Sequence, residues 1–214
     1  MIKKQLDKES QEYGRLNNLV IDITKDHKIQ AHDYMIIESE NFKGKILDVG
    51  AGPCVLAIVA KLKNPSLDIS CMDGSETNVL FGNIFKAKCK VDIPIMHTTL
   101  ENHPYKNNIF DTIILNHIIE HIKDLDMVFD KCEEMLKEDG TILIAVPFLS
   151  AHWSPNHVHF FDVKDKYKEA TNIVKFFEKR KYKAHITIFD ESKVDKRHPH
   201  NSRGQLDMYI EVKR

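Results

Sequence analysis

The chain has 214 residues, 42% hydrophobic and 29% charged, the balance of one folded domain of ordinary size and not of a disordered or membrane-embedded chain. Lysine plus arginine number 31 against 32 acidic residues, a formal net charge of -1, so no global field draws the protein to nucleic acid or to an anionic bilayer. The opening MIKKQLDKESQEYGRL has no apolar core of signal-peptide length, and Cys54, Cys71, Cys89 and Cys132 contain no C-x-x-C pair, so the expectation is a cytoplasmic protein with reduced, mostly buried thiols.

Residues 1–42 carry helical patterns without a strand signal and are expected to form a helical cap over one end of a sheet. From Lys45 onward, short β-branched runs alternate with amphipathic ones, the signature of a parallel sheet covered by helices. The expected strands are Lys45–Val49, Leu67–Met72, Asp92–His97, Phe110–Asn116 and Thr141–Pro147. Between the last two, Leu125, Val128, Phe129, Cys132, Met135 and Leu136 recur at helical spacing, with Asp124 as the cap and Gly140 ending the turn beyond. A second amphipathic run, Tyr167, Ala170, Ile173, Val174 and Phe177, predicts another helix before strands at Ala184–Phe189 and Leu206–Val212. In the last strand Leu206, Met208, Ile210 and Val212 are expected inward, with Asp207, Tyr209 and Glu211 outward. Strands joined without an intervening helix run antiparallel, so the fold expected is α/β and Rossmann-like: five parallel strands plus a C-terminal antiparallel hairpin, with helices on both faces.

The first strand ends in Ile46-Leu47-Asp48-Val49-Gly50-Ala51-Gly52-Pro53-Cys54. Glycines in a strand-to-helix turn let the backbone approach a ligand at the carboxyl edge of the sheet. A dinucleotide fingerprint needs Gly or Ala at position 55, which is Val55 here. Asp48 also points a negative charge toward the space of a pyrophosphate, so a ligand with cationic groups suits the turn better. Asp73, after the second strand, is an acid that can accept hydrogen bonds from both hydroxyls of a ribose.

Asp48-x-Gly50-x-Gly52 with Asp73 resembles the S-adenosylmethionine site of class I methyltransferases. The resemblance continues through Phe110-Asp111-Thr112-Ile113-Ile114, Glu120-His121, Leu136-Lys137-Glu138-Asp139-Gly140 and Val146-Pro147, and is to the small-molecule branch that includes ubiquinone-type methyltransferases. It covers roughly residues 44–148, and beyond them only the architecture. It implies S-adenosyl-L-methionine as cofactor, held by Asp48, Gly50, Ala51, Gly52, Asp73, Gly74, Thr99, Leu100 and Asn116. Cys54 departs from the family's glycine turn, and Thr99 stands where the family commonly has an Asp near the adenine. The domain then divides into the cap (1–42), a cofactor-binding core (43–147) and a substrate-side loop, helix and closing strands (148–214).

His117-Ile118-Ile119-Glu120-His121 reads literally as the H-x-x-E-H pattern of inverted zinc proteases, and on a helix His117 and His121 would share a face. The pattern directly follows a buried strand, and related methyltransferases carry a similar Glu-His pair, so no metal is expected. His117 is the first candidate for a general base, with His152 and His157 as rivals. In the loop after Pro147, Trp153, Asn156 and His159 are candidates for contact with a polar acceptor. His27, His32 and His185 have no motif around them, and His198 and His200 sit in a polar connection. The expected reaction is methyl transfer to O or N of a small polar or sugar-like acceptor by a monomer or homodimer, with neither nucleic acid nor membrane as partner. The alternatives are a nucleotide-dependent oxidoreductase or epimerase and a non-catalytic cofactor-binding relative.

Overall fold

The computed structural model describes residues 42–148, 156–164, 170–190 and 206–213. The helical expectation for the first 41 residues, and the loop positions His152 and Trp153, lie outside the described residues. In chain order the elements are β1 (Lys45–Val49), α1 (Val55–Lys63), β2 (Asp68–Asp73), α2 (Glu76–Cys89), β3 (Ile95–His97), β4 (Phe110–Asn116), α3 (Leu125–Met135) and β5 (Leu136–Pro147). They are followed by β6 (Phe161–Asp162), β7 (Thr171–Asn172), α4 (Ile173–Lys179), β8 (Lys183–Asp190) and β9 (Leu206–Lys213). Short 3-10 turns occupy Leu100–Asn102 and Ile119–His121.

Among the described residues the main sheet has seven strands in the order β3-β2-β1-β4-β5-β9-β8, confirming the α/β Rossmann-like class. β1 to β5 are parallel, β9 is antiparallel to both β5 and β8, and β8 therefore runs with the first five. The closing hairpin is present, but its second strand inserts between β5 and its first. This corrects the expected alternation in β9: Asp207 and Tyr209 are buried at 3% and 8% exposure, because both faces of an interior strand are covered.

Period-two alternation assigns the two faces. Leu47, Val49, Ile113, Leu115, Ile144 and Ile210 belong to one core with α3 and α4, whereas Ile46, Ile69, Ile114, Leu143 and Ala145 belong to the other with α1 and α2. Asp124 caps α3, its side chain accepting from Met127 N at 3.0 Å, as the sequence predicts. Leu136 and Gly140 do not behave as expected: α3 ends at Met135, and β5 begins at once. Phe110 pairs with Leu136 but Thr112 with Thr141, so residues 137–140 bulge out of the ladder. Lys137 Nζ on Asp111 Oδ1, at 2.8 Å, ties the bulge to β4.

The predicted helix through Tyr167 and Ala170 is shorter, with Asn172 capping it by accepting from Lys175 N at 2.9 Å; Tyr167 is outside the described residues. At the end of α4, Arg180 reaches Asp126 and Glu133 at 2.7 and 2.8 Å, and also Asp130, while stacking near Phe129, Phe176 and Tyr182. All four cysteines are free and buried. No helix among the described residues is long and apolar enough to cross a membrane.

Candidate functional site

In an open sheet whose order reverses between β1 and β4, the crevice lies beyond the carboxyl ends of those strands. A cleft of about 210 Å³ opens there, floored by Val49 and Gly50 after β1, by Met72, Asp73 and Gly74 after β2, and by Leu115 after β4. Thr98 to Glu101 close one side, and Ile118, Ile122 and Val128 the other. This is smaller than the roughly 300–1,000 Å³ of pockets that enclose a drug-sized ligand, a groove on which an adenosyl group can lie.

Gly50 and Gly52 have φ of 63° and 54°, and Cys54 one of 60°, so the turn passes three times through the left-handed region where glycine is least strained. Gly50 is needed for packing: a Cβ there would stand 1.8 Å from Ile118 Cδ1. Around Gly52 a Cβ would meet nothing within 4 Å, so its lack of a side chain keeps space open for a ligand. Asp73 ties the turn down. Its carboxylate accepts from Gly52 N and Ser75 N, each at 2.8 Å, and from Asn78 Nδ2 at 3.1 Å. A carboxylate has about four acceptor positions, so this leaves capacity for one ligand hydroxyl while the geometry stays as it is, fewer than the two ribose bonds the sequence reading gives Asp73.

Of the sequence-predicted cofactor residues, Gly50, Asp73, Gly74, Thr99 and Leu100 line the cleft together. Asp48 is 1% exposed within β1, one residue behind the floor. Ala51 and Gly52 continue the turn, and Asn116 ends β4 beside Leu115. Thr99 Oγ1 accepts from Asn102 Nδ2 at 3.0 Å. Sequence reasoning missed the apolar lining. Val49 and Leu115 sit at or next to the carboxyl ends of their strands, a position the sheet-edge rule could have flagged, and Ile118 and Ile122 become neighbours only through the turn after β4.

His117, the expected first candidate for a base, is engaged by two carboxylates. At φ 52° its ring sits between two buried carboxylates, with Nδ1 3.5 Å from Glu120 Oε1 and Nε2 3.6 Å from Asp207 Oδ2. Burial by itself would push the imidazole down, but contact with Asp207 and Glu120 outweighs it and holds the group well above the usual histidine range. With both ring nitrogens facing carboxylates, His117 links the end of β4 to β9, an engagement that competes with the general-base role the sequence leads one to expect. His159 is also committed elsewhere: Nε2 lies 2.9 Å from Ile122 O, and Nδ1 3.1 Å from Thr171 Oγ1. It staples the 156–160 segment to the turn after β4, and both ring nitrogens expected to serve the acceptor are engaged within the protein. Val158 N and Glu120 O, at 2.8 Å, strengthen the staple.

Asn156 enters the site through its backbone, its carbonyl lying 3.2 Å from His121 Nδ1. His157 packs edge-on to His121 with ring centroids 4.8 Å apart, and its buried Nδ1 has no partner among the described residues. Burial pushes His157 down, helped by the neighbouring histidines and opposed by Glu120.

Comparison with known proteins fits this geometry. A family profile described as "Methyltransferase domain" matches residues 47–144. The chain is similar to the ubiquinone biosynthesis O-methyltransferase of Mesorhizobium japonicum, 29% identical over 105 residues, covering 49% of this chain but only 41% of that protein. Among solved structures it resembles a putative S-adenosyl-L-methionine-dependent methyltransferase from Methanococcus maripaludis, with a TM-score of 0.63 and 17% identity over 96% of this chain and 91% of the other. It also resembles the geranyl diphosphate C-methyltransferase of Streptomyces coelicolor, solved with Mg2+, geranyl diphosphate and S-adenosyl-L-homocysteine, with a TM-score of 0.60 and 12% identity over 90% and 83% of the two chains. The structural likeness establishes the fold, and the sequence match places the likeness in its core: residues 47–144 match the methyltransferase-domain family.

Proposed function

We propose that the protein transfers a methyl group from S-adenosylmethionine to oxygen or nitrogen of a small polar acceptor. The observation that carries this reading is the cleft at the ends of β1, β2 and β4, with open space over Gly52 and the Asp73 carboxylate in its floor. When bound, the cofactor supplies a methyl group on a sulfonium, and its direct displacement asks mainly for alignment of donor and acceptor. Val49, Leu115, Ile118 and Ile122 give an adenosyl group apolar walls, while Asp73 and Thr99 offer polar contacts. The O-methyltransferase relatives make oxygen the first acceptor atom to test. A net charge of -1 favours a small molecule over nucleic acid.

Calorimetric titration and thermal melting test the reading. S-adenosylmethionine and S-adenosylhomocysteine should bind one site per chain and raise Tm by mass action, and NAD should do neither. Asp73→Ala should weaken either ligand by about 1.5–3 kcal/mol, the range for a hydrogen bond to a charged group. Turnover of methyl-labelled cofactor against pooled small metabolites then identifies the acceptor. Binding of NAD with no response to either methyl-donor form would overturn the proposal.

A further inference from the structure

The turn after β4, which also carries the Ile118 and Ile122 that line the cleft, presents a second cluster. Glu120, His121 and His157 each offer one donor atom, and these atoms all lie within 4.8 Å of one another. Glu120 is 1% exposed, and among the described residues its Oε2 has no hydrogen-bond partner; the buried Nδ1 of His157 has none among them either. A buried carboxylate oxygen and a buried ring nitrogen left without partners are each costly unless a ligand completes them. We propose that Glu120, His121 and His157 form a binding site for a divalent transition metal of the zinc class.

The donor chemistry selects the ion. Two imidazoles and one carboxylate suit zinc and its neighbours, whereas magnesium and calcium take oxygen ligands. His121 is arranged as a metal ligand should be: Nδ1 faces the Asn156 carbonyl at 3.2 Å, which fixes the tautomer, while Nε2 faces Glu120 Oε1 at 4.0 Å. His117, beside Oε1, orients the carboxylate from behind and leaves Oε2 free to coordinate.

Metal–ligand bonds of about 2.0–2.2 Å at tetrahedral angles put donor atoms roughly 3.3–3.6 Å apart. The cluster must therefore contract by about an ångström, within reach of side-chain rotation at His121, whose side chain is 42% exposed. Three protein ligands leave a coordination position open to water or to another small ligand, the pattern of non-structural zinc sites. The set differs from the literal H-x-x-E-H reading, which is disfavoured in the sequence. There the third ligand would be His117, but its Nε2 is turned to Asp207; here His157 comes from a segment 36 residues beyond His121, held in place by the His159 staple.

The test is metal binding by the full chain prepared without a histidine tag, and it does not depend on methyl transfer. Titration with zinc against a chromophoric competitor should give one equivalent bound at micromolar zinc or below. His121→Ala and His157→Ala should each weaken it tenfold or more, and Glu120→Gln should do the same without loss of fold. The control His185→Ala should bind like the wild type. Cobalt(II) added to the wild-type protein should develop visible absorption of a low-coordinate nitrogen and oxygen site, a readout that requires no variant to fold. Less than one equivalent of zinc bound, no cobalt spectrum, or wild-type affinity in both histidine variants would each overturn the proposal.

Discussion

Gly50 and Gly52 stand two residues apart in one turn, both in the left-handed region, and alanine at each separates packing from ligand space. For either, a Cβ at positive φ costs about 1–2 kcal/mol. At Gly50 the methyl would also lie 1.8 Å from Ile118 Cδ1, and forcing a packed neighbour aside adds about 1–3 kcal/mol. At roughly 2–4 °C per kcal/mol for a chain of this size, Gly52→Ala should lower Tm by about 2–8 °C, and Gly50→Ala by about 4–20 °C. Ligand binding should rank them differently. Gly52→Ala stays folded, yet its methyl fills the open space over the turn, so calorimetry should show S-adenosylhomocysteine weakened by about tenfold or more, or 1.4 kcal/mol. Wild-type affinity in Gly52→Ala would refute the assignment of that space to the cofactor, and equal Tm values for the two variants would refute the role given to Ile118.

Arg180→Ala should cost about 1–3 kcal/mol in urea unfolding, because the guanidinium both packs on aromatic rings and faces three carboxylates, two of them well exposed and so screened. Asp111 is held below the usual carboxylate range by the Lys137 hydrogen bond and then by Lys45 N–H. A lowered folded-state value means its stabilisation is complete above the unfolded value near ~3.9 and is lost as pH falls through the folded one. Asp111→Asn should therefore flatten the acid limb of the Tm profile, by no more than about 1 kcal/mol for so exposed a pair. Burial pushes the Cys132 thiol up to about 12, and all four cysteines are buried, so a thiol reagent at neutral pH should label none until denaturant is added, and then four.

What was legible in the sequence was what local chemistry decides. The glycine turn, the Asp124 cap and the strands from β1 to β4 follow from periodicity and turn residues within a few positions of each other. The bulge at residues 137–140 was not legible, because Gly140 also fits the end of a helix and only pairing with Phe110 and Thr112 shows the extra residues. Asp207 read as an outward residue because alternation along one strand cannot show what covers its other face. The same limit hid the fate of His117 and His159: each is recruited by a partner far along the chain, Asp207 for one and Thr171 and Ile122 for the other. The cluster of Glu120, His121 and His157 depends on that second recruitment.

The place of β9 between β5 and β8 has a consequence for synthesis. Among the described residues, the edge of β5 that carries Ile142 to Val146 finds its partner in residues 206–213. Ribosomes add roughly 5–20 residues per second, so about 60 residues of further translation leave that apolar edge open for on the order of 3–12 s. An unpaired strand edge is a template for pairing with another chain, and here the strand that pairs with it in the folded sheet emerges about 60 residues later. Its exposure to aggregation is set by elongation rate and by holdase chaperones, and it ends when the eight-residue β9 enters the sheet.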